Sequence, residues 1–286
     1  MKTRRNLRPE ASRSLRSLCL VVTAILILWA VVSSDGRAAS EPPAAAAACC
    51  RVVELRQYTL KPGQRDTLID IFDREFIETQ EAVGMRVVGE FRDEDNPDHF
   101  VWLRGFADMD VRKQGLTAFY SGPAWKTFGK QAAATMIDSD NVLLLRPSEP
   151  AQGFVDLPAS RPPVDAVAQP GYVIVTIYHL KPSTAAAFPN FFRAELRPAL
   201  RAGGIVPRAA FETEHSANNY PALPIREGEN VYVWFASYES SVAYADALGR
   251  LERARNWNES KIKLQSFLDA PTQVLRLTPT VRSLLR

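Results

Sequence analysis

The sequence predicts an α+β fold made of two tandem β-α-β-β-α-β units, and three observations carry that prediction. The stretch "YTLKP" (58–62) returns as "YHLKP" (178–182), 120 residues later. The same offset links Leu68 with Phe188, Phe72 with Phe192, Phe76 with Leu196, Gly84 with Gly204 and Phe91 with Phe211. It then becomes 132, linking Trp102 with Trp234, Trp125 with Trp257 and "VLLLRP" (142–147) with "VLRLTP" (274–279), so one 12-residue insertion within 213–230 reconciles the two. A fixed spacing with a single insertion is the mark of an internal repeat. The third observation is that each copy switches between strand-like and helix-like hydrophobic spacing in the same order.

Taken from the N-terminus, residues 1–40 read as a targeting leader. Six Lys/Arg between Lys2 and Arg16 precede a 15-residue apolar run, 18–32. That length suits a signal-peptide core, which spans about 7–15 residues, and is short of the ~20 that cross a bilayer. Ala38, Ala39 and Ser40 offer a cleavage point before Glu41, and retention as an N-terminal membrane anchor is the alternative. "TRRNLR" (3–8) faintly resembles a twin-arginine signal, but an ordinary basic segment is the simpler reading. The leader also owns the chain's basic character. Residues 1–40 hold seven basic and two acidic side chains, which leaves 28 against 30 in the remainder, a net −2. Nothing here favours nucleic-acid binding.

An Ala-rich stalk, 41–50, follows, and ends in Cys49 and Cys50. A bridge between adjacent cysteines closes a strained ring, so the plainer reading is two free thiols in a flexible stalk. Pairing between chains and lipidation at Cys49 are the alternatives, and no disulfide framework is implied.

The first copy occupies 51–147. "VVELRQYTL" is a strand by its β-branched content. Apolar residues at 68, 71, 72 and 76 mark one helix face, and Gly84 stops the helix. "MRVVGEF" and "HFVWLRGF" are strands flanking the turn "RDEDNPD". Helical sequence runs from Asp110 to about Thr135, broken at Gly122-Pro123, and "NVLLLRP" is the closing strand. That order is the ferredoxin-like split βαβ unit. Residues 148–170 hold five prolines and read as a stiff, exposed linker. Residues 171–279 repeat the unit, and 280–286 form a C-terminal tail. One such unit leaves a sheet face bare. Two in one chain cover each other sheet to sheet, as a single-chain dimeric α/β barrel.

"VELRQYTLKPG" (53–63), "GMRVVGEF" (84–91), "FVWLRGFADM" (100–109), "FYSGPAWK" (119–126) and "DSDNVLLLRP" (138–147) together resemble the NIPSNAP family, strongly over 50–147 and weakly over 171–279. The resemblance implies membership of the dimeric α/β-barrel superfamily. It implies no single activity, because that superfamily includes cofactor-free monooxygenases, lactone isomerases, polyketide cyclases and heme enzymes.

Strand alternation puts Glu54, Arg56 and Tyr58 on one face of the first strand, and Trp102, Arg104 and Phe106 on one face of the third. Charges on a strand face are costly unless paired or solvated. The equivalent positions in the second copy are Ile174, Thr176 and Ala236, while Tyr178 and Trp234 stay aromatic. Two readings follow. One is a ligand pocket in the first copy, with Arg56 and Arg104 as donors, Tyr58 and Trp102 as wall, and Glu54 beside them. The other is a structural ion pair of Glu54 with Arg56 or Arg104 at the join between the copies.

His99, His179 and His215 show no metal-ligand spacing. His179 is a candidate heme ligand against the simpler reading of a strand-edge histidine, and His215 sits in the inserted segment, as part of a lid or as a surface residue. "DSDN" (138–141) reads as a turn, and Trp125 and Trp257 as core anchors. Phosphate loops, CxxC, GxSxG and HExxH are missing from the sequence, and no cofactor is expected. The chain thus reads as an exported or membrane-tethered protein that binds a small organic molecule, with enzyme activity unresolved and cofactor-independent chemistry as its enzymatic form. A non-catalytic scaffold at the membrane is the alternative, and a heme protein using His179 is a second. Expected partners are a small molecule and the internal second copy. The membrane is met only through the leader, and further self-association stays open.

Overall fold

The computed structural model describes residues 49–286, so the leader and most of the Ala-rich stalk lie outside the described residues. The first copy contributes strands β1 (Val52–Leu60), β2 (Arg86–Asp93), β3 (His99–Phe106) and β5 (Val142–Pro147), with a short β4 (Met136–Asp138) against the end of β1. Its helical layer holds α1 (Arg65–Ile71), a π-helical turn (Phe72–Phe76), α2 (Ile77–Glu81), α3 (Met109–Ser121) and α4 (Pro123–Thr135). The second copy contributes α5 (Pro182–Ala185), α6 (Phe188–Phe191), a second π-helical turn (Phe192–Leu196), α7 (Arg197–Ala202), α8 (Ser241–Glu252) and α9 (Arg255–Phe267). Its strands are β6 (Tyr172–His179), β7 (Ala209–Thr213), β8 (Val231–Tyr238) and β9 (Gln273–Pro279).

Within each copy the strands line up alike, β5-β1-β3-β2 and β9-β6-β8-β7. The copies are not merely laid face to face. β2 pairs with β9 through Phe91–Pro279, Arg92–Thr278 and Asp93–Leu277, and β5 pairs with β7 through Leu145–Thr213, Arg146–Glu212 and Pro147–Phe211. These two seams close an eight-stranded antiparallel barrel, which removes the outer edges that either sheet would otherwise leave unpaired. The interior is solid. Val53, Leu55, Leu103, Phe91, Phe211 and Phe235 belong to one buried apolar cluster that fills it, as eight strands leave room for side chains alone.

Strand alternation then sends Glu54, Arg56, Tyr58 and Trp102 the other way, into the layer between the barrel wall and the first copy's helices. The repeat extends to backbone detail. Both π-turns fall at the same offset, and Gly84 and Gly204 end equivalent helices at φ +86° and +85°. Only glycine adopts that left-handed conformation cheaply.

Three expectations need correction. Cys49 and Cys50 are not free thiols but close the adjacent ring as a disulfide, and Cys50 is only 2% exposed. The 148–170 linker is not exposed throughout. Phe154 packs into the barrel cluster, and Arg161 bonds Glu81 and the Val87 carbonyl. The 280–286 tail is part of the fold, with Leu285 N–H bonded to the Val88 carbonyl and Leu284 and Leu285 buried.

Candidate functional site

Glu54 is wholly buried and sits opposite Arg104 in the β1–β3 register. Its carboxylate meets three guanidinium groups. Arg56 Nη1 and Arg104 Nε donate to Oε2 at 2.8 and 2.7 Å, and Arg112 Nε donates to Oε1 at 2.8 Å. Arg112 arrives from the first turn of α3, which Asp108 caps by accepting from Val111 N–H. Burial alone would raise the Glu54 pKa, but Arg104, Arg56 and Arg112 pull it far below the usual carboxylate range. Burial opposes the charge on Arg56 as well, and Tyr58 and Glu54 beside it outweigh that. These four groups carry one negative and three positive charges, a net +2 out of water. Such a cluster is costly unless other groups share the excess. The Trp102 ring does so, with Arg56 and Arg104 Cζ at 5.7 and 5.1 Å from its centroid, a cation–π contact that strengthens when desolvated.

The donors outnumber the acceptors. Arg104 Nη2, Arg112 Nη2 and Trp102 Nε1 are buried and find no acceptor among the described residues. Arg56 Nε donates at 2.8 Å to the Tyr58 hydroxyl oxygen. The phenol therefore accepts from Arg56 and keeps its own proton to give. Burial pushes the Tyr58 pKa up against the pull of Arg56, so at neutral pH the hydroxyl is a donor.

In front of this network lies a cavity of about 170 Å³, lined by Tyr58, Gln80, Trp102, Tyr120, Trp125 and Leu223 among others. Five of those six come from the first copy. Leu223 comes from the second, on the segment between β7 and β8 that contains the 12-residue insertion. That segment folds over the first copy's helical layer. Asn218 and Asn219 Oδ1 accept from Arg112 Nη1 at 3.1 and 2.7 Å, Asn219 Nδ2 donates to the Met109 carbonyl, and Tyr220 stacks on Tyr120 at 5.9 Å. The insertion is the roof of a site that its own copy does not contain.

Of the residues singled out from sequence, Tyr58 and Trp102 line the cavity. Glu54, Arg56 and Arg104 do not; they stand behind that wall. The ion-pair reading is right about their contacts and wrong about their place, since the cluster lies under the helices and not at the join between copies. Arg112, Gln80 and the asparagines were missed. Arg112 lies on a helix whose spacing gave no reason to aim it at a strand, and the asparagines lie in an irregular loop. Trp257 is a core anchor at 8% exposure, whereas Trp125 is half-buried and faces the cavity. In the second copy, Trp234 Nε1 donates to the Tyr178 hydroxyl at 3.2 Å, and Phe188, Phe191 and Phe192 fill the matching layer.

The histidines are elsewhere. His99 pairs with Asp93 at 3.3 Å, His179 with Glu229 at 3.5 Å, and His215 is exposed on the inserted loop, away from the cavity lining. His179 borders none of the described cavities. Among the described residues no three His, Cys, Asp or Glu side chains form a metal-holding group, and no helix is long and apolar enough to cross a membrane. "DSDN" is a turn, with Asp138 Oδ1 accepting from Asp140 N–H. A separate buried pair, Glu90 with Asp73, lies toward the C-terminal tail. Burial, then Asp73, push the Glu90 pKa well above the usual range, and neither of its oxygens meets a donor.

The NIPSNAP family model matches residues 53–151. Among solved structures, a provisionally named monooxygenase from Fusobacterium nucleatum aligns at a TM-score of 0.50 and 9% identity, over 80% of this chain and 91% of its own. A second, from Lactobacillus acidophilus, aligns at 0.48 and 12% identity over 80% and 93%. An uncharacterized NIPSNAP-like domain protein from Burkholderia xenovorans is 24% identical over 38% of this chain and 85% of its own, at a TM-score of 0.32. No match is found among curated proteins. The first of these likenesses shows a shared fold and nothing about chemistry.

Proposed function

With residues 53–151 a NIPSNAP domain, we propose that the first copy binds a small single-ring organic acid or phenol, its ring among the aromatic walls and its acidic oxygen at the Tyr58 hydroxyl. The observation that carries this is a cavity of about 170 Å³ with largely aromatic walls, lined by Tyr58 with its hydroxyl protonated and backed by a net +2 cluster. A cavity of ~150 Å³ lined by apolar side chains holds benzene, so the volume sets the ligand at one ring with a small substituent. Excess buried donors select an acceptor, and a positive field selects its ionised form.

The same arrangement limits the chemistry. Donors aimed at an oxygen stabilise a phenolate or enolate, but among the described residues no Asp, Glu, His or Lys lines the cavity. Glu54 is saturated by three guanidiniums, Tyr58 is protonated, and Gln80 does not titrate. The site's own contribution is to hold and polarise an acidic ligand, and any cofactor-independent reaction there must draw its proton acceptor from the ligand or from a co-substrate. The tandem ferredoxin-like reading is supported by the like strand order, the matching π-turns and the paired glycines. Export rests on the leader's composition. A mature chain beginning at Glu41 in an extracytoplasmic fraction would support release, an intact chain in the membrane would support an anchor, and an intact chain in the cytosol would sink both.

Calorimetric titration with benzoate, phenol and toluene tests the binding proposal. Benzoate or phenol is expected to bind more tightly than toluene. Tyr58→Phe is expected to cost the oxygenated ligands about 10- to 100-fold and leave toluene unchanged. Equal affinity for all three ligands, or no effect of Tyr58→Phe, defeats the proposal.

A further inference from the structure

A cavity of about 1130 Å³ lies beside the start of β1 and the ends of β3 and β5, away from the Tyr58 site, and both Cys49 and Cys50 line it. Their disulfide cannot be a structural staple in the ordinary sense. A cross-link stabilises by closing a loop in the unfolded chain, and its effect grows with the loop; at a sequence separation of 1 there is almost no loop to close. The fold nevertheless builds a seat for it. An ideal Cβ on Gly105 would lie 2.2 Å from Cys50 Sγ, so β3 carries a glycine where the sulfur docks. Cys49 N–H bonds the Phe154 carbonyl and Arg51 N–H the Phe106 carbonyl, which fixes the backbone on both sides of Cys50. One half of the bridge is thus anchored and 2% exposed, while Cys49 is exposed at the cavity.

We infer that Cys49–Cys50 is a thiol–disulfide exchange site that takes two electrons from a small dithiol entering this cavity. A thiolate of the dithiol attacks Cys49 Sγ, forming a mixed disulfide, and the Cys49–Cys50 bond breaks with its electron pair on Cys50 Sγ, which takes up a proton. The second thiol of the reagent then attacks its own sulfur in the mixed disulfide. Cys49 leaves as a thiolate and is protonated, and the dithiol departs as a cyclic disulfide. The protein gains two electrons and two protons, and the reagent loses the same. Access decides which sulfur is attacked, and the burial difference assigns that role to Cys49. The sulfur of Cys50 stays in its seat on Gly105, ready to reclose the bond by the reverse exchange, in which a disulfide reagent accepts the two electrons and two protons and leaves as a dithiol.

The test uses the full folded chain with dithiothreitol as the small dithiol, alkylation by N-ethylmaleimide, and intact-mass detection. Without reductant, Cys49 and Cys50 take up no label, and peptide mapping keeps Cys19 out of the count. With dithiothreitol the folded protein is expected to gain two labels at a rate within about 10-fold of the guanidinium-unfolded chain, and to lose that reactivity on adding the oxidised reagent. A Cys50→Ser variant is expected to leave Cys49 able to form one mixed disulfide with glutathione disulfide. A protein dithiol run in parallel separates the sources of reductant; faster reduction by it would move the proposal to a docked partner and overturn the small-dithiol form. Label on both cysteines before reduction, or folded-state reduction slower than the unfolded chain by more than about 1000-fold, overturns the inference.

Discussion

Glu54 holds the first copy's polar layer together, because three buried guanidiniums have no other carboxylate among their hydrogen-bond partners. Glu54→Gln keeps the shape and removes the charge, and is expected to cost about 3–5 kcal/mol in urea unfolding, the usual penalty for stranding a buried partner. A loss under about 1 kcal/mol would show that the arginines are solvated and the field is absent. Glu90 gives the opposite pH signature. Its folded pKa is raised, by burial first and Asp73 second, so the folded chain holds a proton that the unfolded chain gives up near about pH 4.3. The folded state then binds more protons, and stability falls as pH rises from there toward the folded pKa, by up to ~1.4 kcal/mol per unit. Glu90→Gln is expected to flatten that decline in urea midpoints taken from pH 5 to 9, and an unchanged slope would contradict the assignment. Glu54, with a lowered pKa, contributes stability above about pH 4.3 that is lost only as pH falls below it. The clustering of Glu54, Arg56 and Arg104 was legible from strand alternation and from their loss in the second copy. Which side of the sheet they faced was not, because both faces of a closed barrel wall are buried and period-2 spacing does not tell inside from outside.

At the scale of elements, the repeat was readable down to its glycines. Gly84 and Gly204 recur because each ends a helix at a positive φ, and Gly84→Ala is expected to cost about 1–2 kcal/mol, with space not the issue, since the nearest side-chain atom to the added Cβ is at 3.7 Å. A cost near zero would mean the turn relaxes. The inserted loop was read as a change of offset, with a lid as one of two readings of its His215. Its role rests on Asn218, Asn219 and Tyr220 meeting Arg112 and Tyr120 of the other copy, contacts between residues 100 to 107 positions apart that no local pattern encodes. Asn219→Ala removes one acceptor from Arg112 and the bond to the Met109 carbonyl. It is expected to speed release of a bound phenol about 10-fold in stopped-flow experiments, and unchanged release would mean the loop is not the roof. The disulfide was misread for a related reason. Adjacent cysteines suggest free thiols until a neighbouring strand is seen to carry a glycine under one sulfur.

For the whole molecule, duplication solves one problem and creates one opportunity. Closing the seams β2–β9 and β5–β7 buries both sheets, and the second copy fills its helical layer with phenylalanines. The first copy is then free to keep a cavity and an unbalanced charge, which a lone unit would have to maintain while also stabilising itself. The central claim is that this cavity is electropositive and reads an ionised oxygen through Tyr58. A titration of bound 4-nitrophenol, followed by the visible absorption of its phenolate, tests it most directly. The account predicts that binding lowers the phenol's pKa by at least about one unit, a shift worth ~1.4 kcal/mol, and that Tyr58→Phe removes part of it. A bound pKa equal to or above that of the free phenol would contradict the account.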